Sequence, residues 1–445
     1  MKDYDENIVS SYISYLDANN LYGLAMSMKL PYKDLKWCSA PSYDEIMNYA
    51  ESSPKANSSE TGYFLEVDLE YPKELHDLHN DYPLAPEVLC VNANMTSEIT
   101  KEIYKAYHEG KELKNEKTAK LILNLNDKAR YVLHIRNLKY YLEQGLKLKK
   151  IHRCVSFLQR EWLKPYIDFN TEKRKKASND FEKDMFKLMN NAVYGKTMED
   201  VRGHIDFELV SDQKRMEKCL NSPTLKHRHI IHENLVGVEK MKATLKLNKP
   251  IYVGVAILDL SKLHMYKFYY DVLKKKYQDN IKLLYTDTDS FIIQTQTEDV
   301  YDDFKELKGH MDFTGYDKDH KCYDDTNNKV LGKFKDELDG QIMTEFIGLK
   351  PKMYCCITED ESIIKKAKGI QKLKVKKELN PELFKKTLYE NYKDYVQYNK
   401  IGSLNQSVFS ITQNKLGLSS FENKRYWIDK ETSYAYGHHR VHNVD

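Results

Sequence analysis

Three aspartates and a file of cations are the residues best able to do chemistry in this chain. Asp287 and Asp289 stand one residue apart in Tyr285-Thr286-Asp287-Thr288-Asp289-Ser290, between the apolar runs Ile281-Lys282-Leu283-Leu284 and Phe291-Ile292-Ile293. Two β-rich runs broken by a short polar stretch predict a hairpin. Its turn would hold two short carboxylates close together, which suits a hard divalent cation such as Mg²⁺ and leaves positions for phosphate oxygens. Asp, Thr and Ser are also ordinary turn residues, so the hairpin alone does not decide its use. Asp17 closes a strand-like run from Ser10 and opens into Ala18-Asn19-Asn20-Leu21-Tyr22-Gly23. An acid there serves either as a partner for the hairpin pair or as a helix cap.

The cations lie on the most regular helical pattern of the chain, residues 171–196. Lys175, Lys183, Lys187 and Asn191 recur at multiples of four and Tyr194 follows three later, which puts them on one face. Phe181, Leu188, Met189 and Val193 make the other sides apolar, and Arg174 stands at the start. Such a face is either a rail for a triphosphate or the lysine face of an ordinary amphipathic helix. Gly195 either admits a close approach to the backbone or ends the helix.

The elements that must position these groups are legible in outline. Gly62 to Pro72 reads as a strand whose acids Glu66, Asp68 and Glu70 form a polar face. His76-Asp77-Leu78-His79 has no further ligand at a zinc-like spacing and reads as surface. Residues 120–168 mix short strands and helices, and 203–250 read as irregular, with His227 to His232 a basic loop. A helix from Ile251 to Leu273 leads into the aspartate hairpin. An acidic, loop-rich excursion over 297–328 follows, and then strands at 332–337 and 345–356.

Composition narrows the class. A chain of 445 residues is long enough for about two or three substructures with their own cores. Its mean hydropathy is −0.70, no apolar run approaches the ~20 residues of a membrane span, and MKDYDENIVS lacks a signal-peptide core, so no membrane association is expected. Seven scattered cysteines without a CxxC pair suit a reducing, intracellular compartment, nucleus or cytoplasm, and argue against structural zinc. The net charge of +3 hides a polarity. Residues 51–100 hold ten Asp/Glu against two Lys/Arg, and 136–196 hold fifteen Lys/Arg against seven Asp/Glu. A second basic cluster runs from Lys365 through Lys366 and Lys368 to Lys377. Basic segments beside an acidic centre suit a polyphosphate or nucleic-acid substrate, although lysine runs are commonly just solvated faces.

Asp17 in DANNLYG, Lys187 to Gly195 in KLMNNAVYG, Asp287 and Asp289 in YTDTDS, and Lys352-Met353-Tyr354 resemble, in order, motifs A, B, C and KxY of the family B DNA polymerases. The runs GYFLEVDLEYPKELHDLHNDYPLAPE and NNAVYGKTMED look most like the protein-primed branch, as found in Polinton/Maverick transposons and related viruses or linear plasmids. The sequence departs from the usual motifs at Asn20 and Gly23, where Ser and Pro are expected, and at Ala192, where Ser is expected; no metal ligand is lost.

The resemblance implies an α+β right-hand polymerase with an antiparallel palm sheet, helical fingers and a small thumb. The palm would comprise 1–40 and 250–360, the fingers 136–200, insertions 41–135 and 201–249, and the thumb 361–445. It implies template-directed addition of dNTPs to a primer 3′-hydroxyl, without a proofreading domain of its own. Asp17 and Asp289 would hold two Mg²⁺ ions, for which Mn²⁺ can substitute, with Asp287 as an outer ligand. Lys183 and Lys187, with Arg174 or Lys175, would grip the phosphates. Asn191 and Tyr194 would line the base-pair pocket, and Tyr22 would exclude a 2′-hydroxyl. Lys352 and Tyr354 would hold the primer terminus, and Gly195, Lys366 and Lys368 would touch DNA. The implied partners are primer-template DNA, dNTPs and a terminal protein primer. Two rivals remain: an inactive, element-derived nucleic-acid-binding chain, and a glycosyltransferase that uses its DxD turn for a nucleotide sugar.

Overall fold

The computed structural model describes residues 9–49, 60–115, 117–404 and 407–441. Expectations for the N-terminal stretch 1–8 and for residues 50–59 of the acidic segment fall outside them.

An eight-stranded sheet carries the aspartates. Its strands follow the order Ile281–Asp287, Ser290–Gln296, Ser11–Ala18, Met343–Lys350, Met353–Thr358 and Ile363–Ala367. Phe334–Asp336 joins the Ser11–Ala18 strand, and Met311–Asp312 joins Phe334–Asp336 in the one parallel pairing. Along Ser11–Ala18 the residues Ser14, Leu16 and Ala18 are buried in alternation. Because strand side chains alternate between faces, Asp17 must point to the opposite one.

Behind the sheet lies the helix Ile251–Lys267, continued by a π-helical turn over Phe268–Lys274. It is apolar on nearly every side, the signature of a helix enclosed by the core. Val253, Ala256, Ile257, Leu260 and Met265 are all buried. Phe268 stacks on Phe334 with ring centroids 3.6 Å apart and also meets Phe291. These rings fasten the helix to strands on both sides of Asp17, and truncating Phe291 to Ala would cost about 3–5 kcal/mol.

The single helix expected over 171–196 is two, Lys164–Lys175 and Asp180–Thr197. The break has a local cause. Asn179 caps the second helix by accepting a hydrogen bond from the Glu182 N–H, and Glu182 reaches back to accept one from the Ser178 N–H at 3.1 Å. Arg174 and Lys175 therefore end the first helix and do not continue the file of Lys183 and Lys187. Gly195 lies inside the second helix and does not end it. At its base this helix approaches the core helix closely. A Cβ on Gly254 would come within 2.3 Å of the Met198 sulfur.

A second sheet, ordered Leu30–Trp37, Lys147–Arg160, Thr61–Glu70 and Lys128–His134, takes up residues 147–160, which were expected with the fingers. The acids of Thr61–Glu70 find their partners on the strands either side of it. Glu66 pairs with Arg130 at 3.0 Å and also with Arg153; Asp68 meets His152 at 2.8 Å; Glu70 meets Lys147 at 3.3 Å and also Lys149. Residues 203–250 are not irregular. They form a three-stranded sheet of Ile205–Val210, Leu225–His232 and Leu235–Met241 with a helix Gln213–Leu220, and the expected basic loop at His227–His232 is a strand.

The tail beyond 361 divides. The strand pair Tyr395–Leu404 and Ser407–Leu416 and the helices Lys372–Glu378 and Pro381–Glu390 stay near the sheet edge. Residues 425–441 instead return to the acidic segment. There Arg425 donates to the Asn80 carbonyl at 2.9 Å and the His439 N–H donates to His76 Nδ1 at 3.0 Å.

Candidate active site

Asp17 and the aspartate hairpin meet at one end of the eight-stranded sheet. Asp17 lies opposite Ser290 in the ladder, and the Ala18 N–H donates to the Asp289 carbonyl at 2.7 Å. The hairpin turn is tight: Thr288 adopts the left-handed region with φ 59°, and the Asp289 N–H donates to the Asp287 carbonyl at 2.7 Å. Burial, then the neighbouring Asp289 carboxylate, pushes Asp17 up to about 7. The exposed Glu337, just past the strand on the other side, adds to the repulsion. Asp289 is raised by burial first and then by Asp287. Lys187 bears on both Asp17 and Asp289 from the second finger helix and pulls each back down.

Two half-buried carboxylates held together against their repulsion make an oxygen-only donor set, which fits a hard divalent ion such as Mg²⁺ or Mn²⁺. Asp287 is engaged differently. The Lys352 ammonium donates to both its oxygens, at 2.8 and 2.6 Å, and the Lys352 N–H donates to the Tyr285 hydroxyl at 3.1 Å. Asp17, Asp287 and Asp289 do not form a set with their oxygens all within 4.8 Å of one another. Asp287 is thus held in an ion pair with Lys352.

The side wall of the site is aromatic. Tyr22 stacks on Tyr194 with centroids 4.3 Å apart and planes 17° from parallel, so the segment after Asp17 and the helix after Lys187 meet through their tyrosines. Burial pushes the Tyr22 hydroxyl up to about 12. Asn191 and Gly195 are exposed on the same helix, and a Cβ on Gly195 would meet nothing within 4 Å. Gly195 therefore neither ends the helix nor serves a close packing contact within the described chain.

The remaining candidates scatter by degree. Lys183 pairs with Asp180 at 3.0 Å and Lys175 with Glu172 at 3.3 Å, both one helical turn away on the surface. Tyr354, expected to hold a primer strand, is only 3% exposed; its ring lies 4.9 Å from that of Tyr285 and its hydroxyl meets that of Tyr15 at 3.3 Å. It supports Tyr285 and Lys352 from within. Lys366 and Lys368 are exposed on and just after the neighbouring edge strand. Lys365 instead donates to the carbonyls of Lys376 and Leu379 and so ties down the end of the short helix Lys372–Glu378.

Sequence reasoning missed Lys329, Asp312 and Glu337. None stands in a recognisable pattern, and only folding brings Glu337 towards Asp17, Asp312 to Asn19 and Lys329 to the pocket it shares with Arg174. It also misplaced His76 and His79, which are buried. Among the described residues, His76, His438 and His439 form the one group of three potential ligands with atoms within 4.8 Å of one another. It is a packed joint and not a metal centre. His76 Nδ1 accepts from the His439 N–H and its Nε2 faces the Tyr71 carbonyl at 3.3 Å. His438 and His439 stack at 4.6 Å and 23°, so their in-plane lone pairs do not converge.

A family model described as DNA polymerase type B, organellar and viral, matches residues 1–274. No curated protein sequence matches the chain. Among solved structures, Phi29 DNA polymerase complexed with primer-template DNA and incoming nucleotide substrates is 15% identical, with a TM-score of 0.51, covering 93% of this chain and 60% of that one. The orthorhombic crystal form of Phi29 DNA polymerase is also 15% identical, with a TM-score of 0.49 and the same coverages. The chain therefore spans about 60% of the length of these neighbours. The first likeness bears out the α+β right-hand fold with an antiparallel sheet.

Proposed function

Because the matched family model takes in residues 1–274, more than half its length, the chain belongs to the type B DNA polymerases of organelles and viruses, and we propose that it extends a DNA primer on a template. The observation that carries this reading is the convergence of Asp17, Asp289 and Lys187 beside the Tyr22–Tyr194 stack. Carboxylates for divalent ions, a cation for phosphate and a flat wall for a sugar are the parts that nucleotidyl transfer needs, because such chemistry is mostly positioning and charge stabilisation.

In this reading the eight-stranded sheet is the palm and the helices Lys164–Lys175 and Asp180–Thr197 are the fingers. The sheet at 205–241 and the segment around 61–160 are insertions, and the elements at 372–416 are the thumb. Asp17 and Asp289 would hold the divalent ions, which when bound would activate the 3′-hydroxyl and neutralise the triphosphate. The 3′-oxygen then forms a bond to the α-phosphorus as the bond to pyrophosphate breaks, and the hydroxyl proton passes to water. Lys187 meets the negative charge that grows on the phosphates. Tyr22 packs under the deoxyribose, where a 2′-hydroxyl would collide with its ring. Lys352 steadies Asp287 and the hairpin. A terminal protein as primer follows only from the likeness of the sequence to the protein-primed branch.

Primer extension with Mg²⁺ tests the reading. Wild-type chain extends a templated primer with dNTPs, and Asp289→Ala does not. Wild-type protein that binds primer-template yet never extends it would assign the chain to the inactive class, and turnover of a nucleotide sugar would assign it to the glycosyltransferases.

A further inference from the structure

Lys329 lies in the excursion after the aspartate hairpin, outside every motif. Its backbone is left-handed, with φ 52°, and its N–H donates to Asp312 Oδ2 at 2.8 Å. The Asn19 amide donates to the same oxygen at 2.6 Å, while the Thr314 N–H and hydroxyl hold Asp312 Oδ1 at 3.1 and 2.7 Å. Asp312, 1% exposed, thus uses its carboxylate on neutral donors and locks this loop to the residue two places after Asp17. The Lys329 backbone is fixed; its ammonium has no hydrogen bond or ion pair among the described residues.

Lys329 lines a pocket between the sheet and the finger helices together with Asn20, Thr171, Arg174 and Asn190. Arg174 likewise makes no ion pair among the described residues. Asn190 is 1% exposed, and its amide nitrogen meets the Thr171 hydroxyl at 3.5 Å. Burial and then the charges of Arg174 and Lys183 hold the Lys329 ammonium below its usual range. Cations gathered from separate elements repel one another unless an anion comes between them.

We propose that Lys329 is a phosphate ligand contributed from the sheet side, which with Arg174 across the pocket grips the outer, non-reacting phosphates of an incoming nucleoside triphosphate and then the departing pyrophosphate. The inference rests on the polymerase reading above. Asn19 and Asn20, which line the pocket, follow Asp17 by only two and three residues, and this favours the nucleotide over a backbone phosphate of DNA.

Lys329→Asn tests it, since Asn is at home in the left-handed region and removes the ammonium without straining the backbone. Lys329→Arg keeps the charge. With the full chain, Lys329→Asn should raise the KM for dNTP about tenfold, leave the Kd for primer-template within about twofold, and be rescued by Lys329→Arg. Inorganic tripolyphosphate, titrated calorimetrically into the free chain, should bind about tenfold more weakly to Lys329→Asn. Equal KM and equal tripolyphosphate affinity in the two proteins would overturn the proposal. So would a weakened primer-template Kd with unchanged KM, which would give Lys329 to the DNA backbone. If wild type extends no primer, the polymerase reading fails on its own, and the tripolyphosphate titration still decides whether Lys329 binds phosphate.

Discussion

On the strand Lys147–Arg160 three cations of the basic run are paired within a sheet, Lys147 and Lys149 on Glu70 and Arg153 on Glu66, and His152 meets Asp68, while Lys150 and Arg160 at the strand's middle and end have no ion pair among the described residues. Around the finger helices the arrangement is reversed. Arg174, Lys187 and Lys329 carry no ion pair among the described residues, and Lys183 and Lys175 hold only carboxylates on their own helices, exposed pairs worth about 0.2–0.5 kcal/mol each. The two regions have similar composition and opposite electrostatics. In the first, the acidic and basic segments of the chain neutralise each other and stabilise a sheet. In the second, positive charge is kept free beside two carboxylates that resist sharing their space. A binding site for phosphate is recognised less by how many cations it has than by how few of them are already satisfied.

The comparison can be broken or sharpened by four substitutions. The largest effect is expected from Asp289→Ala, which should lower primer extension about 10³-fold or more while leaving the melting temperature unchanged or higher, because it relieves a half-buried like-charge contact. A protein that loses activity by unfolding would undo that interpretation, and circular dichroism through the melt distinguishes the two. Next, Lys187→Ala should reduce kcat/KM for dNTP by about 10²-fold, measured by single-nucleotide incorporation. An unchanged value would place the free cations outside the phosphate path. Tyr22→Val should then leave dNTP use largely intact and cut discrimination against ribonucleotides by about tenfold to a hundredfold, read from paired kcat/KM values. The smallest effect belongs to the paired region. Arg153→Ala should lower the melting temperature by roughly 1–2 °C and leave both dNTP kinetics and primer-template affinity alone. A clear loss of DNA affinity there would erase the distinction between the two regions.

Much of the site was legible because its signals are local. The hairpin follows from two apolar β-runs around a polar turn, the Asp17 strand from its alternation, and the core helix from an apolar run too long for a strand. Other features were not. The finger helix breaks where Ser178 and Asn179 offer side-chain caps stronger than the continuing periodicity. The strands at 205–241 face water over most of their length, so they show little of the apolar alternation by which strands are recognised. His76 read as surface because the residues that cover it, His438 and His439, arrive from the other end of the chain. Tyr354 sat correctly beside Lys352 in sequence, yet its ring turns inward to Tyr15 and Tyr285.

The sequence by itself determined the identity and order of the chemical groups: Asp17, the helix bearing Lys187 and Tyr194, the Asp287–Asp289 hairpin and Lys352, each within a segment whose periodicity or turn chemistry is set by its nearest neighbours. Tertiary structure decided which charges stay free. No short run of sequence specifies which cation will be paired; Arg153 is neutralised and Lys329 is not because of where Glu66 and Asp312 lie in three dimensions. A charge's partner is fixed by distances across strands and loops far apart in the chain, and Coulomb's law takes no account of sequence separation.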